Sequence, residues 1–581
     1  MASTAESAAG AATGTTQPRY GVRKYSADLS AVGEPWLWGL GGALAIGIIL
    51  VAGFLTMIFW NGVSTFWPKP IEVVTLTDGT VVAGEPTRSG VYRVGVNLRE
   101  TLSPEALDMI DANDGFAHRV LYRSANFDLY GDDFRWVSDY EVAEVERPAD
   151  FYLLERQEWG PFVGRIVGLT LDGQERDLDE YDYPDLRQAQ GRARERFEQI
   201  RHIEKKDIGR VNYEIERERL ALRRTQLRHG EDSEQYRAQQ QEAAARIAEL
   251  EQQFAKHQAR ITEIRERDRR DWFLLEEVGG RTKQQLLSEV VRLYPANDLS
   301  GLQKIGIYLS RWKEFLTAEP REANTEGGVL PAIFGTVAMT LIMVVIVAPF
   351  GVITALYLRE YAKQGRIVSI VRVSVNNLAG VPSIVFGVFG LGFFAYTMGV
   401  TIDQLFYPER LPSPTFGTGG ILWSALTLAL LTVPVVIVAA EEALAAVPRS
   451  MREGSLACGA SKWQTIRRVV LPRAMPGIMT GLILAMARGA GEVAPLMLVG
   501  VVKLAPMLPV DGFYPYLHLE RSFMHLGFHI FDVGFQSRNS EAGKPMVFVT
   551  TLLLLFLIVA MNSSAIYIRN RLKRKFAVGQ F

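Results

Sequence analysis

The chain of 581 residues is 48% hydrophobic and 22% charged, with a formal net charge of −1 and a single cysteine, Cys458. Near-zero charge without a basic tract of interleaved aromatics argues against a nucleic-acid partner, and one cysteine excludes a disulfide framework or a cysteine-based zinc site. No Gly-x-x-x-x-Gly-Lys-Ser/Thr loop occurs, so any ATP hydrolysis must come from another subunit.

Apolar and charged residues are segregated along the chain. Residues 1–36, rich in Ala, Thr, Ser and Gly, read as a flexible cytoplasmic tail. The uncharged run that follows is long enough to cross ~30 Å of hydrocarbon. It reads as a retained transmembrane helix over 37–60 rather than a cleaved leader, because no small-x-small site follows Trp60. Trp36, Trp38, Trp60 and Trp67 mark its two interfaces.

Residues 61–185 alternate as strands do. Runs at 71–76 and 80–83 flank Asp78-Gly79, a hairpin signal, and strand-like runs at 134–137, 151–154 and 162–171 complete a β-rich module. Residues 186–270 are charged and helical. Ile247, Leu250, Phe254, His257, Ile261 and Ile264 recur at steps of three and four, the spacing of a coiled-coil seam, with Ile208, Val211, Ile215 and Leu222 on a comparable stripe. The turn signal at 229–233 between them predicts a long antiparallel coiled-coil hairpin; a parallel pairing between protomers uses the same heptads. Residues 271–328 read as a return segment to the membrane.

Five more apolar segments, 329–358, 373–400, 417–440, 475–502 and 545–568, form a core over 329–568. Six spans place both termini on one side. Arg359, Lys363, Arg366 and Arg372 follow the second span, and Arg449, Arg452, Lys462, Arg467, Arg468 and Arg473 the fourth. The 569–581 tail is also basic, whereas the 401–416 loop has only Arg410. Positive charge collects on the cytoplasmic side, so both termini and the 453–472 loop are predicted to be cytoplasmic and residues 61–328 extracytoplasmic.

Two regions carry candidate chemistry. In the 453–472 loop, a helix can run from Glu453 toward Gly459, bend there, restart over 461–468 and stop before Pro472. This forms a basic docking surface. In the fifth span, Arg488 and Glu492 interrupt an apolar helix. A mid-bilayer arginine costs about 2.5–3.5 kcal/mol on insertion scales, so it needs a polar cavity or a partner. Arg488 is then either an anion-handling residue in a translocation path or half of a fixed ion pair joining helices. Asn376, Asn377 and Ser383 open the third span as packing or pore-lining residues. Glu441 and Glu442 are expected to pair with the basic loop. His518, His525 and His529 lie among Phe523, Phe528 and Phe531, which reads as an amphipathic interfacial segment; no carboxylate pattern completes a metal site.

Three stretches in combination, LAGVPSIVFG (378–387), EEALAAVPRSMREGSLACGASKWQTIRRVVLPRAMPGIMTG (441–481) and ARGAGEVAP (487–495), resemble the PstA-type permease subunit of phosphate ABC importers. The resemblance implies an all-α polytopic membrane protein of the ABC-importer permease type with six transmembrane helices, here carrying an inserted β-rich module and coiled-coil hairpin. It implies a bacterial cytoplasmic (inner) membrane location and matches 453–472 to the family's ATPase-coupling EAA loop, through Glu453, Gly459, Ala460, Ser461, Trp463, Arg467, Leu471 and Pro472. The family's intramembrane arginine and glutamate match Arg488 and Glu492. Implied partners are a PstC-type second permease, a PstB-type ATPase dimer and a PstS-type phosphate-binding protein, besides membrane lipids. ATP and Mg would be bound by the partner ATPase, with no cofactor or metal in this chain. The departure is residues 61–328, which a typical member lacks. Rival expectations are a permease for another oxyanion, and a membrane tether or sensor whose coiled coil is the working part.

Overall fold

The structure, a computed structural model, describes residues 35–100, 102–537 and 540–577. The expected tail over 1–36 falls almost entirely outside the described residues, as does the end of the 569–581 tail. Among the described residues, six helices are long and apolar enough to cross a membrane: Trp38–Ser64, Leu330–Tyr361, Ser383–Phe406, Ile421–Ala445, Lys462–Gly491 and Ser540–Arg571. They are spans one to six below.

The fourth span is the most enclosed of the six, because small residues let its neighbours approach closely. A Cβ added at Gly477 would lie 2.6 Å from the Ala443 side chain, one at Gly489 2.5 Å from the Met343 sulfur, and one at Gly351 2.5 Å from Val436. Gly481 meets Ala439 in the same way. Backbones brought this close gain dispersion contacts along their whole length, the main attraction between helices where lipid removes the hydrophobic drive. Thr336, Thr340, Thr427 and Thr432 are buried here, and each hydroxyl donates to the carbonyl four residues earlier, at 2.7–2.8 Å. That satisfies a polar group without an interhelical partner.

Two spans differ from the sequence expectation. The third begins at Ser383, not near 373: the chain breaks at Gly380-Val381-Pro382, and Arg366–Leu378 forms a separate helix with Ile367, Ile370 and Val373 exposed. Proline lacks the donor a continuing helix needs and clashes with the turn before it. The fifth ends at Gly491 and not at 502. Pro495 forbids the turn across 491–495, so the chain extends at Glu492 (φ −80°, ψ 132°) and restarts as Ala494–Val499.

The insert between spans one and two contains two sheets of the same topology. The first is ordered β4-β3-β2-β1-β5, from β1 (Glu72–Leu76), β2 (Val81–Arg93), β3 (Phe116–Arg123), β4 (Phe134–Ser138) and β5 (Val142–Glu146). The second is ordered β10-β9-β7-β6-β11, from β6 (Tyr152–Arg156), β7 (Phe162–Leu171), β9 (Trp272–Glu276), β10 (Thr282–Leu286) and β11 (Val290–Pro295), with β8 (Gln174–Arg176) beside β7. In each, a one-turn helix, Asp139–Glu141 or Leu287–Glu289, joins the last two strands. Glycine usage matches as well. Gly84 faces the first residue of β1, Gly164 the first residue of β6, and a Cβ on either would strike a backbone carbonyl at the end of the third strand, Arg123 or Glu276. The insert is thus a tandem pair of one five-strand unit, and 271–328, expected only to return to the membrane, supplies half of the second sheet. Buried Arg156 of the second unit donates to both Asp128 oxygens of the first, at 2.9 and 3.1 Å, and ties the pair.

Two helical arms project between the second and third main strands of the second unit. Tyr183–His202 continues through a wide turn into Gly209–His229; the chain reverses at Gly230 (φ +81°), and Glu234–Asp268 returns. Glu214–Arg246 at 3.1 Å and Glu204–Arg265 at 2.8 Å make the arms antiparallel, with Ile200, Ile261 and Ile264 buried between them.

The matched glycines give a test. Gly84→Ala and Gly164→Ala should each destabilise the insert by about 1–3 kcal/mol, the range for overfilling a packed site, read as faster limited proteolysis of residues 70–320. Gly90→Ala, whose Cβ would have 3.9 Å of clearance, should leave cleavage unchanged.

Candidate functional site

At the end of the bundle opposite the insert, Arg449–Ala457 runs to a sharp reversal. Gly459 takes φ +80°, where a side chain is strained, and its N–H donates to Leu456 O at 2.9 Å while Ala460 N–H reaches back to Ser455 O. Ser461 then starts the next helix with a reciprocal cap: its hydroxyl accepts from Gln464 N, and Gln464 Oε1 accepts from Ser461 N at 2.9 Å. Ser455 and Thr465 bond across the bend at 2.9 Å. The knuckle so formed presents Glu453, Gly459, Ser461 and Arg467 to solvent, with Leu456 48% and Trp463 55% exposed. Exposed apolar groups framed by charges on a rigid turn have the character of a docking surface.

The expected stop before Pro472 is not observed. The helix passes Leu471 and Pro472, both half-buried, and continues as span five. A wide turn over Ile466–Val470 hands the Leu471 N–H to Ile466 O, so the ladder is already shifted by one residue where Pro472 has no donor to offer. Lys462 and Gly491 are therefore two ends of one rod. The knuckle is held to span two by Arg452, which donates to Glu360 at 3.0 Å, and by Lys462 over the Tyr361 ring, and to span four by Arg452 donating to Leu444 O at 2.7 Å. Glu441 pairs with Arg372 at 3.3 Å rather than with the loop.

Arg488 lies in the last turn of that rod and Glu492 just beyond its end, so the two do not share a continuous helical face. Arg488 Nε stands 3.6 Å from Glu492 Oε1, outside hydrogen-bond range, with the side chains 40% and 22% exposed. Gly489 is closed by Met343, but a Cβ at Gly491 would have nothing within 4 Å, so the side of the rod bearing Arg488 and Gly491 is open. Ser383, half-buried, begins span three; Gly387, one turn on, packs on Pro495 just after the break. Asn376 and Asn377 are exposed on the separate Arg366–Leu378 helix. Among the described residues no hydrogen bond joins either to Arg488 or Glu492. The apolar pattern runs across the Pro382 break, so in sequence these two residues look like the start of the third span.

At the insert end, the histidine segment is not interfacial. Leu526–Phe535 is packed into the bundle, with His525 and His529 at 0% and 2% exposure. His525 Nδ1 caps the helix by accepting from Gly527 N at 3.1 Å. Asp532 on the same helix binds Lys503 at 3.1 Å and Asn324 at 3.0 Å, the last residue of a left-handed run Glu322-Ala323-Asn324 that joins the insert to the bundle. No cluster of metal-ligating side chains occurs among the described residues. The arms also touch this end. Arg224 Nε donates to buried Glu409 at 3.1 Å, and the Tyr213 ring stacks on Phe513 at 4.6 Å. Sequence reading had no signal for this seat, since Arg224 looks like any other arginine of a solvated helix.

Residues 347–574 match the family of binding-protein-dependent transport system inner membrane components, a match that starts after the insert. The chain is 35% identical over 204 residues to the probable ABC transporter permease protein YqgH of Bacillus subtilis, covering 34% of this chain and 62% of that one. It is 42% identical over 175 residues to the phosphate transport system permease protein PstA 1 of Mycobacterium tuberculosis, covering 30% and 52%. To the probable ABC transporter permease protein YqgI of Bacillus subtilis it is 29% identical over 264 residues, covering 44% and 84%. The chain thus spans only 62% and 52% of the length of the first two relatives.

The buried histidines make a pH prediction. Burial pushes both imidazoles down to about 4, against about 6.5 when free. The unfolded segment takes up protons first as pH falls, so the packing stability is complete above about 6.5 and is lost as pH drops toward 4. Hydrogen exchange in Leu526–Phe535, corrected for its intrinsic pH dependence, should accelerate across that window; equal protection at pH 7 and about 4 would contradict it.

Proposed function

We propose that this chain, whose residues 347–574 match the family of binding-protein-dependent transport system inner membrane components, is the PstA-type permease subunit of an ATP-driven phosphate importer. It forms half of the translocation path beside a PstC-type permease. A PstB-type ATPase dimer, which binds ATP and Mg, docks on the 453–472 knuckle, and a PstS-type binding protein delivers phosphate at the insert end. The observation that carries this reading is the unbroken rod from Lys462 to Gly491, which has the knuckle at one end and Arg488 at the other. A force on the exposed Trp463 and Leu456 surface is transmitted along hydrogen-bonded backbone to the arginine.

The basic loops favour an orientation with the knuckle and both termini in the cytoplasm and residues 61–328 outside. In that orientation the chain is a multi-pass protein of the inner membrane. Arg488 serves as the anion-handling cation: its separation from Glu492, the open side at Gly491 and its partial exposure favour this over a sealed ion pair. In a site closed to water, a fixed guanidinium compensates phosphate charge far better than it would in bulk solvent. Ser383, which begins the helix whose Gly387 packs on Pro495, is assigned to the path as a hydroxyl donor; Asn376 and Asn377, exposed on a separate helix, are not assigned to it. Alternating access follows when the rod, locked to spans two and four, moves with them as one body against the partner permease. The arms, read as a coiled-coil hairpin, lie on the loops carrying Glu409 and Phe513 and so sense the same movement from outside.

Arg488→Ala should lower labelled phosphate uptake about ten- to hundredfold, the effect of losing a charged hydrogen bond worth ~1.5–3 kcal/mol, while the partners still co-purify. Unchanged uptake would leave Arg488 a packing residue. Gly459→Val should strain the knuckle and leave ATP hydrolysis running without uptake. Competition by unlabelled sulfate or molybdate as strong as by phosphate would instead make the substrate another oxyanion.

A further inference from the structure

Where span one ends, span six begins and the insert folds back, there is a cavity of about 570 Å³. Its membrane side is formed by Phe66, Trp67, Met546 and Phe548, and its far side by charged groups of the insert. Most of those charges already have partners. Arg123 binds Glu326 at 2.7 Å, Arg321 binds Glu314 at 2.6 Å, and Arg311 is shared by Glu155 and Tyr294 at 2.7 Å each.

What remains has a polarity. On the rim, Arg88 and Lys544 both approach the single carboxylate of Glu541, and Lys69 donates only to the Pro86 carbonyl at 3.3 Å. Two cations share the carboxylate of Glu541 and the third, Lys69, has Glu85 as its neighbouring charge, so the three cations outnumber the two carboxylates. Deeper in, the half-buried Glu85 side chain lines the cavity without a hydrogen bond or ion pair among the described residues. Its withdrawal from water raises its carboxyl above the usual range despite Arg311, Arg123 and Lys69 nearby. A carboxylate so placed is stabilised by N–H donors brought by a ligand.

We infer that this cavity binds the headgroup of a phospholipid bearing a primary amine, with the ammonium on Glu85, the phosphate between Lys69, Arg88 and Lys544, and the acyl chains leaving past Trp67 and Met546. A zwitterion matches the two signs of charge. A primary ammonium has the three donors that a quaternary one lacks. The tryptophan and the ends of two spans place the opening at the level where headgroups meet hydrocarbon. The inference requires only that spans one and six lie in a bilayer and is independent of what the chain transports.

The test uses the full-length chain in native membranes and a phosphatidylethanolamine carrying a photoactivatable acyl chain. Adducts are expected on residues 61–67 and 545–548. Unlabelled phosphatidylethanolamine should compete and phosphatidylcholine should not. Glu85→Gln should reduce labelling about tenfold or more, the loss carried by one charge-assisted hydrogen bond, and Glu85→Asp should restore part of it. Because the lipid competition is read on the unaltered chain, a variant that fails to fold does not blunt the test. Equal competition by phosphatidylcholine would overturn the inference, as would undiminished labelling of a folded Glu85→Gln chain. Displacement by free phosphoethanolamine at the same concentration as the lipid would also overturn it, by assigning the site to a soluble amine phosphate.

Discussion

The close approach of spans four and five at Gly477 and Gly481 is the constraint on which the membrane part depends. With no room for even a methyl group between Gly477 and Ala443, or between Gly481 and Ala439, the two helices pack backbone to backbone. Span two is held to them at Gly351 and Gly489 by the same means. Small residues at such contacts convert dispersion into a fixed geometry. The rod therefore has little freedom to bend within the bundle. A displacement at its exposed end is carried forward as a movement of the whole helix, and the first place where the backbone yields is Glu492, beside Arg488.

The insert is joined to the bundle through an apolar contact, where Phe315 and Trp312 pack with Met524, Leu526 and Met546, and through polar ones. Asn324 reaches buried Asp532, and Arg224 reaches buried Glu409. Buried charges whose partners lie on another part of the chain are costly to leave unmatched, so each contact defines one seated position for the insert. The left-handed run at Glu322-Ala323-Asn324 is strain of the kind that persists only where surrounding contacts over-determine it.

Much of the fold was legible because membrane spans and strands leave strong local patterns. Long apolar runs, five of them uncharged, marked all six spans, and the Asp78-Gly79 turn and alternating residues located strands of the insert. Gly459 was readable as a bend because glycine followed by a serine cap has few other uses. The breaks at Pro382 and Glu492 were not, since apolar residues continue on both sides and hydropathy does not register a change of backbone direction. Because of the Pro382 break, Asn376 and Asn377 lie outside the third span. Pro472 misled in the opposite direction, because a shift in the hydrogen-bond ladder is a property of the turn before it. The duplication of the five-strand unit stayed hidden because strand pairing depends on backbone position; Gly84 and Gly164 correspond while their neighbours differ almost completely.

The two copies of that unit form an internal comparison. In the first, the link between its second and third strands holds only short helices, including Pro104–Ala112; in the second, it holds both long arms. The sheet around Gly84 closes without arms; the root of the first arm does cover the second sheet, with Leu186, Ala189 and Ala193 in its core, but the arms beyond that root, out to Gly230, take no part in that core. They are an appendage grafted at a position the architecture leaves permissive, with both roots on neighbouring strands. Their length, charge and tip can vary through descent without disturbing the barrier beneath, which makes this loop the place where lineages of the protein are expected to diverge fastest.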